Sequence, residues 1–202
     1  MKVFIDLFSG LGGASAKFDV QPDWKVIKID NNPLLVEYNR GLHLMDIGNV
    51  EQTIHSLRLM LAAIQEEYNG IEKLVVWASP PCTEFSFANA DRPEFPSMDL
   101  IEASLDIIDQ LQPTYWILEN VRGAREHILA DFEMWPTQSI GSVILWGHFP
   151  LIPIRTRDTW RHRKMESKGS RALRPNFRAK IPWPISEGLH TAIEHQQTLH
   201  DY

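Results

Sequence analysis

"KVFIDLFSGLGGA", residues 2–14, sets an apolar run of strand length directly against a glycine-rich turn. The run is too short and too continuously apolar for an amphipathic helix, so it reads as a buried strand over residues 2–8. Gly10, Gly12 and Gly13 let the backbone turn tightly at the strand's carboxyl end and approach a ligand closely. A helix following that turn would offer its free N–H groups to the same ligand. The turn lacks the Lys-Ser/Thr of a phosphate-binding loop, which disfavours a triphosphate, and its spacing differs from the dinucleotide fingerprint.

The same strand-then-turn pattern repeats outward from this stretch. Further strands are expected at residues 25–30, 73–79, 114–120 and 142–147, with helices at 50–68 and 98–112. Strands separated by helices predict an α/β fold around a mostly parallel sheet, in which ligands bind outside the carboxyl ends of the strands. Asp6 with the glycine turn, Asp30, Pro80–Cys82 and Glu119 all fall at such ends. Beyond residue 150 the regular pattern fades, which divides the chain into a domain at 1–150 and a short basic extension at 151–202.

The 202 residues are 44% hydrophobic, enough for one domain with a real core, and a single cysteine excludes an internal disulfide. The first apolar run is too short for a secretion signal, and no stretch of about 18 apolar residues occurs, so a soluble, cytoplasmic protein with no membrane partner is expected. The net charge is −6, but residues 155–180 hold ten of the twenty Lys and Arg and only two acids. A tract of about +8 in an otherwise acidic chain is either a solvated loop or a contact for a polyanion.

Individual residues leave alternatives open. Asp30 either accepts hydrogen bonds from ribose hydroxyls or opens the "DNNP" turn. Asp46 starts a helix or accepts from an adenine amino group. Cys82 is a small buried hydrophobe, or a nucleophile presented by Pro80 and Pro81 at a strand end. Glu119 holds a heterocyclic base or serves as an acid. The histidines of "RHR" (161–163) and "HTAIEH" (190–195) lack the companions of a metal site, and no metal is expected.

Taken together, "DLFSGLGG" (6–13), "DI" (46–47), "PPCTEFS" (80–86) and "ENV" (119–121) resemble, in order and spacing, the motifs of the cytosine-C5 DNA methyltransferases. The resemblance covers about residues 1–150. It implies a Rossmann-like S-adenosylmethionine-dependent methyltransferase fold, S-adenosyl-L-methionine as cofactor and DNA as partner, contacted through the 155–180 tract. It further implies Cys82 as the nucleophile that adds to cytosine C6, and Glu119 as the residue that holds the flipped base. The cofactor would be held by Asp6, Phe8, Ser9, Gly10, Leu11, Gly12, Asp30, Asn31, Asp46, Ile47 and Pro80, with Phe8 packed on its adenine.

The sequence also departs from that family. Lys28 stands where a glutamate is usual and Ile29 where a large aromatic often stacks, so either Asp30 takes the ribose or the cofactor pocket is altered, and a lysine near the cofactor could favour a modified, negatively charged S-adenosylmethionine. The arginines that support the target base have Arg155 and Arg157 as their nearest counterparts. The closing Gly-Asn-Ser/Thr-Val motif is missing, leaving one wall of the cofactor site unassigned. About 50 residues follow "WGHFP", too few for a separate target-recognition domain, and the ending resembles compact phage-type relatives. Two other readings remain: the same chemistry on free nucleotide, RNA or single-stranded DNA, and an accessory DNA-binding protein of weak activity.

Overall fold

The computed structural model describes residues 1–154 and 171–195, the Arg171 side chain excepted. Seven strands form one sheet: β1 (Lys2–Leu7), β2 (Trp24–Asp30), β3 (Leu42–Leu44), β4 (Lys73–Ala78), β5 (Tyr115–Val121), β6 (Gln138–Ile140) and β7 (Val143–His148), in the order β3-β2-β1-β4-β5-β7-β6. The first five run parallel, and the β6–β7 hairpin closes the far edge with antiparallel pairing to β5. This is the expected α/β fold with a mostly parallel sheet. The expected strands and helices are present within one or two residues at each end.

Alternation along the strands divides the core between the two faces. On one face Val3, Ile5, Leu7, Val76 and Leu118 pack beneath α1 (Val50–Tyr68), α2 (Asp99–Leu111) and α3 (Arg125–Phe132). On the other, Phe4, Trp77, Ile117 and Leu145 pack against Phe18, Trp24 and the residues Ile185, Leu189 and Ile193 of α5 (Trp183–His195). α1 starts where the Asn49 side chain accepts from the Gln52 N–H (3.2 Å) and stops at Asn69, which is left-handed at φ +57°.

Two features differ from the sequence reading. Residues 10–17 form consecutive turns and end in a 3-10 turn at Phe18–Val20, with no α-helix after the glycines. Positive φ at Gly10 (+52°) and Gly12 (+66°) breaks the repeating dihedrals that a helix needs. The second is α5, where only a proline-bounded ending was expected. Its apolar residues recur every four positions and cover the sheet. Charged contacts pin its far end: Lys2 Nζ lies 2.6 Å from Glu194 and 2.9 Å from Asp23, and Trp24 Nε1 donates to Glu194 (3.0 Å).

The glycine segment is itself packed against the chain's carboxyl-terminal part. Ser186 Oγ donates to the Ala14 carbonyl (2.6 Å) and accepts from the Lys17 N–H (2.9 Å). A side chain at Gly13 would overlap the Ile181 backbone. Gly13→Ala is therefore expected to cost about 1–3 kcal/mol through overpacking. A fall in the urea midpoint at unchanged slope checks this; an unchanged midpoint contradicts the contact.

Candidate active site

Parallel pairing brings the carboxyl ends of β1, β2, β4 and β5 to one rim, with Leu7 beside Ile29 and Ala78, and Ala78 beside Leu118. Phe8 leaves β1 with φ +57°, an uncommon conformation for an aromatic residue, and its ring packs against the core. Ser9 N–H then donates to the Ile29 carbonyl (2.9 Å) and Gly12 N–H to the Ser9 carbonyl (2.7 Å). The Gly10 N–H donates to Asp30 Oδ2 (2.9 Å), while Asp30 Oδ1 accepts from the Asn32 N–H (3.0 Å). Asp30 thus holds two turns together and keeps further lone pairs for a ligand. Asn39, which the sequence reading missed, clamps the same turn by donating to Ser9 Oγ (2.8 Å) and the Gly10 carbonyl (3.1 Å).

The other expected cofactor residues are placed unequally. Asn31 and Asp46 are exposed beside this rim, and Asp46 Oδ1 accepts from the Gly48 N–H (3.1 Å). Leu11 and Ile47 are buried, with Ile47 in the core. Asp6 lies under the turn and accepts from Ser15 Oγ (2.5 Å). Burial pushes its pKa up to about 7.

Lys28 does not extend toward this rim. Its buried ammonium meets Asp19 Oδ2 (2.7 Å) and the Arg40 carbonyl (3.0 Å), so its charge is already neutralised. α4 (Arg174–Ala179) and the residue before it lie against the glycine turn. Leu173 packs with Leu11 and Leu35, Phe177 lies edge-on to Tyr38, and Asn176 approaches Gly10. Arg155 and Arg157, with the basic tract as far as residue 170, lie outside the described residues.

On β4 and β5 the structure brings Cys82 and Glu119 together. After Ala78 the chain runs through Ser79 and the buried Pro80 to the partly exposed Cys82. The Cys82 carbonyl accepts from the N–H groups of Phe85 (3.1 Å) and Ser86 (2.9 Å), which turns the loop back. Asn120, fully buried next to Glu119, donates from Nδ2 to the Pro80 carbonyl (3.1 Å) and accepts the Val121 N–H (2.9 Å). Replacing it with an apolar residue would leave that carbonyl without its partner. Gly123 lets the Phe85 carbonyl press against the continuation of β5, where any side chain would overlap it. Sequence reading assigned neither residue, although "ENV" contains the first.

The electrostatics of the pair follow from this placement. Burial raises the Glu119 pKa to about 7, opposed by a hydrogen bond from Ser79, whose Oγ also accepts from Trp77 Nε1 (2.6 Å). Burial first, and then the Glu119 charge, raise the Cys82 thiol above its ordinary value, opposed by its own backbone N–H. The charged Glu119 therefore favours the neutral thiol. Among the described residues no group of His, Cys, Asp and Glu is arranged to hold a metal ion. Nor is any described helix long and apolar enough to cross a membrane.

The profile of the C-5 cytosine-specific DNA methylase family matches residues 2–133, a span that includes the glycine turn, Cys82 and Glu119. The chain is 27% identical over 127 residues to the Type II methyltransferase M.HgiGI of Herpetosiphon aurantiacus, covering 60% of this chain and 91% of that protein. It is 25% identical over 137 residues to the Type II methyltransferase M.HindV of Haemophilus influenzae, covering 63% of this chain but 40% of the relative. Among solved structures, the Entamoeba histolytica methyltransferase EhMeth aligns with a TM-score of 0.43 at 14% identity, over 77% of this chain and 55% of that one. The chain thus spans less than half of M.HindV and about half of EhMeth.

The coupling between the two side chains has a measurable consequence. Above pH about 7 the charged Glu119 holds the thiol up, so Glu119→Gln removes that charge and lowers the Cys82 pKa. The pH profile of iodoacetamide alkylation is expected to move to lower pH in Glu119→Gln. A profile that stays in place or moves upward contradicts the coupling.

Proposed function

The chain belongs to the C-5 cytosine-specific DNA methylase family, and from that premise we propose that it is an enzyme transferring a methyl group from S-adenosylmethionine to C5 of cytosine in DNA. The observation that carries the proposal is the meeting of a partly exposed thiol and a buried carboxyl on adjacent strand ends, fixed by the Asn120–Pro80 hydrogen bond. Residues 1–150 would hold the chemistry, braced by α5, and the 155–180 tract would contact phosphates, which positions DNA without specifying bases.

The β1–β2 rim fits S-adenosylmethionine. Among the described residues the Leu11 N–H has no protein acceptor, Asp30 retains lone pairs for ribose hydroxyls, and Asp46 presents an exposed carboxylate to an amino group. Phe8, Ser9, Gly10, Gly12, Asn31, Ile47 and Pro80 would shape the remainder, with Asp6 supporting the turn through Ser15. When bound, this cofactor supplies an electrophilic methyl group.

The protein's own part runs between Cys82 and Glu119. The partly exposed Cys82 thiol gives its proton to solvent, and the thiolate forms a bond to cytosine C6. The C5–C6 π pair shifts to C5, which becomes nucleophilic and takes the methyl group. With its pKa near 7, Glu119 can be neutral at working pH and, keeping its proton, donate a hydrogen bond to ring N3 while its other oxygen accepts from the exocyclic amine. Neutralising Glu119 also removes the charge that opposes the thiolate. A base then takes the C5 proton, and the C–H pair restores the double bond and expels Cys82 as thiolate. The ring must stand outside a stacked duplex for this geometry.

Transfer of labelled methyl from S-adenosylmethionine to duplex DNA, single-stranded DNA, RNA and dCTP tests the proposal. Label in DNA as 5-methylcytosine, reduced at least about 10³-fold in Cys82→Ala, is expected. Full transfer by the variant overturns the role of Cys82. No transfer to any acceptor by folded wild-type protein favours the accessory reading.

A further inference from the structure

Ser79 stands beside Glu119 in the sheet. β4 and β5 pair in parallel with Ala78 beside Leu118, so the next residues along, Ser79 and Glu119, are neighbours as well. The Ser79 N–H donates to the Leu7 carbonyl (3.1 Å), which carries the β1–β4 pairing one residue past the end of β4. Alternation then puts the Ser79 and Glu119 side chains on the sheet face that carries Trp77 and Ile117.

Chemistry forces the direction of the hydrogen bonds here. An indole N–H only donates, so the Ser79 hydroxyl, 2.6 Å from Trp77 Nε1, is the acceptor of that bond. Its single hydrogen is left to point onward, and it goes to the Glu119 carboxyl. Asp6, a carboxyl on the same face of the adjacent β1, is already engaged by Ser15. Trp77 is fully buried, which fixes its ring and gives the chain Trp77–Ser79–Glu119 one direction. The Glu119 oxygen that receives the Ser79 hydrogen is therefore held as an acceptor. When Glu119 is neutral, its own proton sits on the other oxygen.

Resting on the proposed function, we infer that Ser79 is a positioning residue that selects cytosine over uracil by fixing which Glu119 oxygen carries the proton. Cytosine offers an acceptor at N3 and a donor at its exocyclic amine. Uracil offers the reverse, an N–H at N3 and a carbonyl at C4. A carboxyl able to place its proton on either oxygen accommodates both edges. With the oxygen that faces the amine held as an acceptor by Ser79, the neutral carboxyl fits cytosine. It meets uracil with donor against donor and acceptor against acceptor, leaving buried polar groups unpaired. A hydroxyl acting through Glu119 thus completes recognition of the base.

Two readouts on the full chain test this. The first needs no activity and uses Cys82→Ala, in which the neighbouring thiol does not contribute. Glu119 is titrated by NMR of its carboxyl carbon after isotopic labelling of glutamate, its signal identified by its loss in Glu119→Gln. Adding Ser79→Ala is expected to raise the midpoint above about 7, because the charged carboxyl loses a donor, and Ser79→Thr to restore it. The second readout is kcat/KM for labelled methyl transfer to an oligonucleotide with one deoxycytidine, and to the same strand with deoxyuridine in its place. Ser79→Ala is expected to lower the cytosine-to-uracil ratio about 5- to 150-fold, the range for one buried polar group left unpaired, and Ser79→Thr to restore the ratio. Circular dichroism checks the fold. Should Ser79→Ala not fold, Ser79→Cys, a similar side chain with a weak donor, is expected to shift both readouts in the same direction. A midpoint that stays in place or falls overturns the inference. Transfer with an unchanged ratio removes the role of Ser79 and keeps the enzyme; a raised midpoint with no transfer by wild-type protein keeps the fixed proton and removes the enzyme.

Discussion

Same-direction pairing of β1 with β2 and β4, and of β4 with β5, is the constraint from which the site follows. Parallel strands need crossovers, and these leave one rim free at the carboxyl ends. On that rim Asp30 can reach the glycine turn, and the Pro80–Cys82 loop can lie beside Glu119–Asn120. Antiparallel neighbours would have placed these residues at opposite ends of the sheet. The antiparallel β6–β7 hairpin lies beyond β5 and adds to the site only through the support it gives β5.

Buried hydrogen bonds convert this coarse alignment into local geometry. Asn120 holds the loop that carries Cys82, Ser79 links Trp77 to the Glu119 carboxyl, and Ser15 holds Asp6 under the glycines. Both Asp6 and Glu119 are raised to about 7 by burial, yet to different effect. Asp6 braces a turn, whereas Glu119 faces a thiol whose charge it opposes. A carboxyl neutral near physiological pH can both donate to a ring nitrogen and let its neighbour ionise.

Five of the seven strands were legible as β-branched or aromatic runs bounded by turn residues, as in "KVFIDL" and "KLVVWA", whereas β3 and β6, three residues each, carry no such run. α1 was legible from the helical spacing of its apolar residues. α5 was hidden by Pro182, Pro184 and Gly188, which read as breakers; Pro184 falls in the first turn, where it costs little, and Gly188 gives room to Ile152. Cys82 and Glu119 could be picked out because their chemistry is distinctive at a strand end. Asn39, Ser79, Asn120 and Gly123 could not, since each acts through a contact 30 or more residues away, with no composition signature. The partners of Lys28 were hidden in the same way: Asp19 and the Arg40 carbonyl, nine and twelve residues away, hold its side chain.

The central claim is that Cys82 adds to C6 of a cytosine held by Glu119. Replacing the C5 hydrogen of the target with fluorine blocks the final proton removal, so the covalent species cannot resolve. Mass spectrometry of protein incubated with S-adenosylmethionine and DNA containing 5-fluorodeoxycytidine reads this directly. The account predicts a denaturation-resistant adduct on the peptide carrying Cys82, absent in Cys82→Ala. An adduct on another residue, or none from protein that methylates ordinary DNA, would contradict it.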